Sequence, residues 1–135
     1  MKAVNLRTIL ASSMLVLFGL VLMSYVAPQK GWEVPAKYKT MKSPVKDDAA
    51  SQAAGKELWN KNCASCHGKM GLGDGPKARM LDGNPGNFSK DLTSQSDGDL
   101  FYKTQTGRGE MPKYEGKLAD NDIWNIVNYM RTFKK

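Results

Sequence analysis

The chain has 135 residues, 41% of them apolar, with 20 basic and 13 acidic side chains and a net charge of +7. That length leaves room for one small domain and a tail. Lys2 and Arg7 give residues 1–27 a charge of +2, five lysines against Glu33 give residues 28–46 +4, and residues 47–135 carry only +1; a near-neutral domain with no recognition motif argues against nucleic acid as a partner.

The first predicted element is an apolar run. Residues Ile9 to Ala27 are interrupted only by Ser12, Ser13 and Ser24. As a helix the run would be about 28 Å long, close to the thickness of a bilayer core. It reads as an uncleaved signal anchor or as a cleaved signal peptide. The anchor is favoured over residues 1–27, because Tyr25 and Pro28 flank Ala27 where an A-x-A-like site would be needed, and the run exceeds a usual signal core.

Residues 28–50 read as a linker in which Pro28, Pro35 and Pro44 prevent a continuous helix. Trp32, Val34, Tyr38 and Met41 are more apolar than a free tether requires. The segment is expected either to pack on the following domain or a neighbouring subunit, or to skim a membrane interface.

Residues 51–135 form the predicted domain. A helix is expected from Ser51 into Cys63, with Gly55, Trp59 and Cys63 near one face. Gly68 to Pro76 holds glycines at 68, 71, 73 and 75, which suits positive φ or close backbone approach to a flat ligand. Lys77 to Leu81 reads as one helical turn, and Gly83 to Lys90 as turns. Ser96 and Asp99 have capping-box spacing at the head of a helix over Asp97–Gln105, which Gly107 stops. Gly107 to Pro112 is an extended, turn-rich stretch. The last helix runs from Asp120 to Phe133 with Ile123, Ile126, Val127, Met130 and Phe133 as its buried stripe. No strand and no internal repeat is legible.

The chemistry sits in Cys63-Ala64-Ser65-Cys66-His67, which contains both cysteines and the one histidine of the chain. A C-x-x-C-H run matches the attachment pattern of haem c. Each cysteine can form a thioether, and His67 is placed to ligate the iron. A zinc site needs about four ligands, and only three Cys or His residues exist. An iron–sulfur cluster normally needs four cysteines. A redox dithiol expects a βαβ context. A disulfide across two residues is the remaining alternative.

With His67 as fifth ligand, the sixth cannot be a second histidine, which leaves methionine, lysine or no ligand. Methionine is the soft candidate. Met1, Met14 and Met23 belong to the leader, Met41 to the linker and Met130 to the core stripe, and Met70 is too close to His67 to reach the opposite face. Met80 and Met111 remain. Met111 is preferred, because it lies in a loop and Pro112 biases its backbone toward an extended form. Met80 is expected to fill a gap beside the haem.

On these residues the chain resembles the class I cytochromes c, in particular bacterial single-haem forms, over roughly residues 50 to 133. Gly55-Lys56-Glu57-Leu58-Trp59 is similar to the family's N-terminal helix, with Ile126 and Tyr129 as its crossing partners on the last helix. Trp59 stands where Phe or Tyr is commoner. Ser96–Phe101 and Gly107–Pro112 resemble the segment that carries the distal methionine. The resemblance implies that Pro76 offers its carbonyl to the imidazole N–H, which would fix the tautomer. It also implies an all-α domain of three to four helices around one covalent haem c, here preceded by a transmembrane helix.

The expected function is electron transfer by a His67/Met111-ligated haem c between a quinol-oxidising complex and a terminal oxidase of a respiratory chain, with no small-molecule substrate. Two alternatives stand beside it: a permanent haem-bearing subunit of a larger membrane complex, and a gas sensor or enzyme with an open distal site. Because haem c is attached outside the bacterial cytoplasm, the expected location is the cytoplasmic membrane, single-pass, with the domain on the periplasmic side. A cleaved leader would instead leave a soluble periplasmic protein.

Overall fold

The computed structural model describes residues 31–133. The chain divides into two units, residues 1–33 and residues 34–135. Of the first, only residues 31–33 are described, and they are neither helix nor strand. The architecture below is that of the second.

Among the described residues the fold is all-α: α1 (Ala36–Lys39), α2 (Ala49–Asn62), α3 (Ala64–His67), α4 (Phe88–Asp91), α5 (Asp97–Thr106) and α6 (Asp120–Arg131), with 3₁₀ turns at Ala78–Met80 and Leu92–Ser94. Helix α2 starts two residues before the predicted point, because Asp48 caps it and accepts the Ser51 N–H at 3.0 Å. Helix α5 begins at the predicted capping box: the Ser96 hydroxyl accepts the Asp99 N–H at 3.1 Å and the Asp99 carboxylate accepts the Ser96 N–H at 2.8 Å. Gly107 ends it at φ +61°. The Gly83–Lys90 stretch, expected as turns, contains the start of one turn of helix. Asn87 initiates that turn by accepting the Ser89 N–H at 3.1 Å.

The core is organised by the crossing of α2 over α6. A Cβ at Gly55 would collide with the Asn125 carbonyl and come within 2.9 Å of the Tyr129 Cβ. Glycine thus lets the two backbones touch. Ser51 donates to Asn125 Oδ1 and accepts from Asn128 Nδ2, each at 2.8 Å, which satisfies the polar groups at the seam. Of the expected stripe, Ile123, Ile126, Val127 and Met130 are buried on α6, and Phe133 is buried just past the helix end at Arg131, together with Trp124, whose ring stacks on Phe101 at 4.3 Å. Arg131 fastens α6 to the head of α5. Its guanidinium donates to Asp97 Oδ1 at 2.7 Å and to the Leu92 and Gln95 carbonyls at 2.8 Å each.

Residues 34–46 belong to this same unit. Tyr38, Met41 and Val45 pack against the core. The Tyr38 ring lies 4.6 Å from that of Tyr102, and a Cβ on Gly98 would strike the Tyr38 carbonyl.

The expected location is overturned. Among the described residues no helix is long and apolar enough to cross a membrane. The longest, α2, has 14 residues and spans about 21 Å against a hydrocarbon core of about 30 Å. The run Ile9–Ala27, on which the transmembrane helix and the single-pass periplasmic orientation rested, lies outside the described residues. The membrane placement is withdrawn.

Candidate haem-binding site

Cys63 sits where α2 ends, at φ −118°, and α3 opens one residue later. Its carbonyl accepts the N–H groups of Cys66 at 3.1 Å and His67 at 3.0 Å. One turn therefore gathers all three residues. Both thiols are free, with no disulfide between them, Cys63 buried and Cys66 half-buried. Burial, with Cys66 adding to it, pushes the Cys63 thiol up to about 12. A redox dithiol needs the opposite, an activated low-pKa thiolate.

The His67 ring is packed among aromatics. Its centroid lies 5.1 Å from that of Phe88, near-parallel at 20°, and 5.7 Å from that of Trp59. Burial lowers its pKa, and the Pro85 carbonyl acts in the opposite sense. The imidazole is thus biased toward its neutral form, the form that donates a lone pair to a metal. Its Nδ1 is buried with no hydrogen bond of good geometry. A neutral imidazole beside two cysteines, with an orphaned ring nitrogen and a carbonyl facing the ring, fits haem c: one nitrogen for the iron, the other for an outer acceptor.

The carbonyl that acts on the ring electrostatically is that of Pro85; the acceptor role expected of Pro76 stays a proposal from the resemblance. Pro76 is exposed, and the residues on either side of it pack on the motif. Its neighbour Gly75 has no room for a Cβ, which would lie 2.5 Å from the Ser65 carbonyl, and Lys77 N–H donates to that carbonyl at 2.8 Å. Pro85 lies inside Gly-Asn-Pro-Gly, which reads locally as a turn, so nothing in the sequence singled it out.

Met111 lies in a closed loop at the end of α5. Its N–H donates to the Arg108 carbonyl and its carbonyl accepts the Arg108 N–H, both at 3.0 Å. Gly109, at φ +57°, allows the turn between them. The Gln105 carbonyl accepts the N–H groups of Tyr114 and Glu115 at 3.1 and 3.0 Å and shuts the loop. Of the alternatives, Met80 is 78% exposed, Met70 54% exposed, and Met130 is core at 4%. Met111 is half-buried.

Two contributors escaped the sequence reading. Tyr114 joins the Met111 loop to the cysteine motif, since its hydroxyl donates to the Asn62 carbonyl at 2.7 Å. Burial, then the neighbouring Cys63 and Cys66, raises its pKa to about 12. Trp59, expected only as packing, also donates its indole N–H to the Gly68 carbonyl at 3.0 Å. No residue pattern marks either bond in advance.

A family model described as cytochrome C oxidase, cbb3-type, subunit III matches residues 50–130. Among similar proteins, cytochrome c6 of Gracilaria tenuistipitata var. liui is 31% identical over 86 residues, covering 61% of this chain and 72% of that protein. Cytochrome c6 of Picosynechococcus sp. is 33% identical over 86 residues, covering 61% and 73%. The cytochrome c subunit of a quinone alcohol dehydrogenase from Gluconobacter oxydans is 32% identical over 84 residues, covering 58% of this chain and 18% of that protein. A chain of the reducing HAO-like protein complex of Kuenenia stuttgartiensis superposes with a TM-score of 0.61 at 25% identity, covering 69% of this chain and 48% of its own. The present chain thus spans about half of that structure.

Proposed function

Because this chain belongs to the class I cytochrome c family, an electron-transfer family with covalently bound haem c, we propose that Cys63 and Cys66 hold one haem c and that His67 and Met111 close its iron. The haem supplies a one-electron ferric–ferrous couple. The protein supplies position and environment. The cysteines fix the group to the end of α2. His67 offers a neutral nitrogen, with the Pro85 carbonyl acting on its ring. The Met111 loop, closed by Gln105 and tied to the motif through Tyr114, would present a thioether on the other side.

A site closed on both sides has no open position for a substrate, which disfavours the sensor or enzyme reading. Electrons would enter and leave at an edge beside Ala64, Ser65 and Met70, which line one open groove of about 430 Å³. The donor and acceptor follow from family likeness and not from residues: a quinol-oxidising complex and a terminal oxidase. The permanent-subunit reading has a specific observation in its favour, because the quinone alcohol dehydrogenase relative carries a matching stretch as 18% of a larger subunit.

The observation that carries the proposal is the half-buried His67 with its orphaned Nδ1, within one turn of two free cysteines. Its test is intact mass together with a pyridine haemochrome spectrum of the matured protein. One haem per chain is expected, with no titratable thiol. Carbon monoxide added to the reduced protein should leave the spectrum unchanged while Met111 stays bound. A colourless polypeptide with two reactive thiols would defeat the reading.

A further inference from the structure

The His67 imidazole sits against two aromatic rings, Phe88 and Trp59. An imidazole is free to turn about its Cβ–Cγ bond, because that torsion has only broad preferences. Here three rings meet: His67 and Phe88 at 5.1 Å, His67 and Trp59 at 5.7 Å, Trp59 and Phe88 at 5.9 Å. Phe88 is the near-parallel one, at 20° to the imidazole, and Trp59 meets Phe88 edge-on at 64°. Offset stacking of this kind favours one relative orientation.

Phe88 is itself pinned from the backbone. Its N–H donates to the Gly71 carbonyl at 2.7 Å, and Gly71 N–H donates to the Gly68 carbonyl at 3.3 Å. The same Gly68 carbonyl receives the Trp59 indole N–H. A single chain of hydrogen bonds therefore holds both aromatic neighbours of the imidazole. Gly71, at φ +68°, leaves the space they need: a Cβ there would lie 2.9 Å from the Phe88 ring and 2.7 Å from that of Phe133. The Asn87 side chain starts the helical turn that Phe88 opens.

We propose that Phe88 is a positioning residue that sets the plane of the His67 imidazole, and through it the orientation of the axial ligand about the iron–nitrogen axis. The proposal rests on His67 being that ligand. Rotating the imidazole out of its stack would turn the ring edge into the Phe88 face, so the aromatic contact opposes the motion directly. A branched aliphatic side chain at 88 would fill similar space without a flat face to enforce one angle.

The test compares Phe88→Leu and Phe88→Tyr with the native haem-bearing protein. The readouts are the haem-methyl shift pattern of the ferric form by NMR, its largest ferric g-value by electron paramagnetic resonance, the midpoint potential, and thermal unfolding. Leucine should change the methyl order or spread, move the g-value and shift the potential. Tyrosine, which keeps the flat face, should restore native values. A leucine variant that melts earlier yet keeps the native methyl pattern, g-value and potential makes Phe88 a packing residue and overturns the proposal. Should the leucine variant fail to mature, the native ferrous protein decides. Cross-peaks between Phe88 and imidazole ring protons support the stack, and their absence overturns it. A native spectrum without imidazole ligation overturns the ligand assignment as well, and is told apart because it needs no variant.

Discussion

The indole N–H of Trp59 donates to the carbonyl of Gly68, the residue directly after His67, at 3.0 Å. A core side chain of the longest described helix thus holds the exit of the haem motif. Trp59 is buried at 2% exposure, so its partner is shielded from water that could replace it. Trp59→Phe keeps most of the apolar volume and removes the donor. The expected loss is about 1 kcal/mol for the bond, with some added cost for the smaller ring. Trp59→Ala should cost roughly 3–5 kcal/mol. Thermal or denaturant unfolding of the haem-bearing protein measures both, and equal stability of wild type and Trp59→Phe would remove the bond from the account.

Gly55 and Gly83 make a paired test of close approach. Gly55→Ala must push α2 off the Asn125 carbonyl, and overpacking of this kind costs about 1–3 kcal/mol. A Cβ at Gly83 would meet nothing within 4 Å, and the backbone there has no positive φ. Gly83→Ala should be neutral or stabilising by about 0.4–1 kcal/mol, through a less flexible unfolded chain. Similar losses at the two positions would contradict the crossing geometry.

Arg131 uses its guanidinium as a fork, with an ion pair to Asp97 and bonds to two carbonyls. Lysine cannot reproduce three divergent donors from a planar group. Arg131→Lys should cost about 1–2 kcal/mol and leave the visible spectrum unaltered, because the contact fastens α6 to the start of α5 far from the methionine loop in sequence. Unfolding monitored at the haem bands reads both quantities in one experiment.

Met111→Ala tests the sixth ligand. The weak long-wavelength band that a sulfur–iron bond confers on the ferric protein should vanish, and the reduced variant should bind carbon monoxide. Met80→Ala, at an exposed position, should change neither. Retention of the band in Met111→Ala would move the ligand to another residue.

Tyr114 gives the stability a pH dependence. Its folded-state pKa is raised from 10.0 to about 12, chiefly by burial. The folded protein therefore holds the phenolic proton more tightly than the unfolded chain does. The contribution is fully present below pH 10, declines as the unfolded tyrosine ionises, and is lost as pH passes through about 12. Tyr114→Phe should show a flatter stability profile across that window than wild type. Parallel profiles would assign the alkaline loss to other groups.

The sequence by itself determined the helical frame and the chemistry. Capping at Ser96 and Asp99, the stop at Gly107 and the apolar stripe of the last helix are local signals, carried by neighbours within a few residues, and the structure shows each of them. The C-x-x-C-H run is likewise local, which is why the prosthetic group was legible in five residues. Only the tertiary structure decided what meets the imidazole and its motif: the Pro85 carbonyl acting on the ring, Phe88 stacked against it, and Trp59 and Tyr114 bonded to the Gly68 and Asn62 carbonyls on either side of the motif. Those partners come from segments 9 to 52 residues apart in the hydrogen bonds concerned, and no periodicity or spacing encodes which of several carbonyls or aromatic rings a fold will bring to one atom.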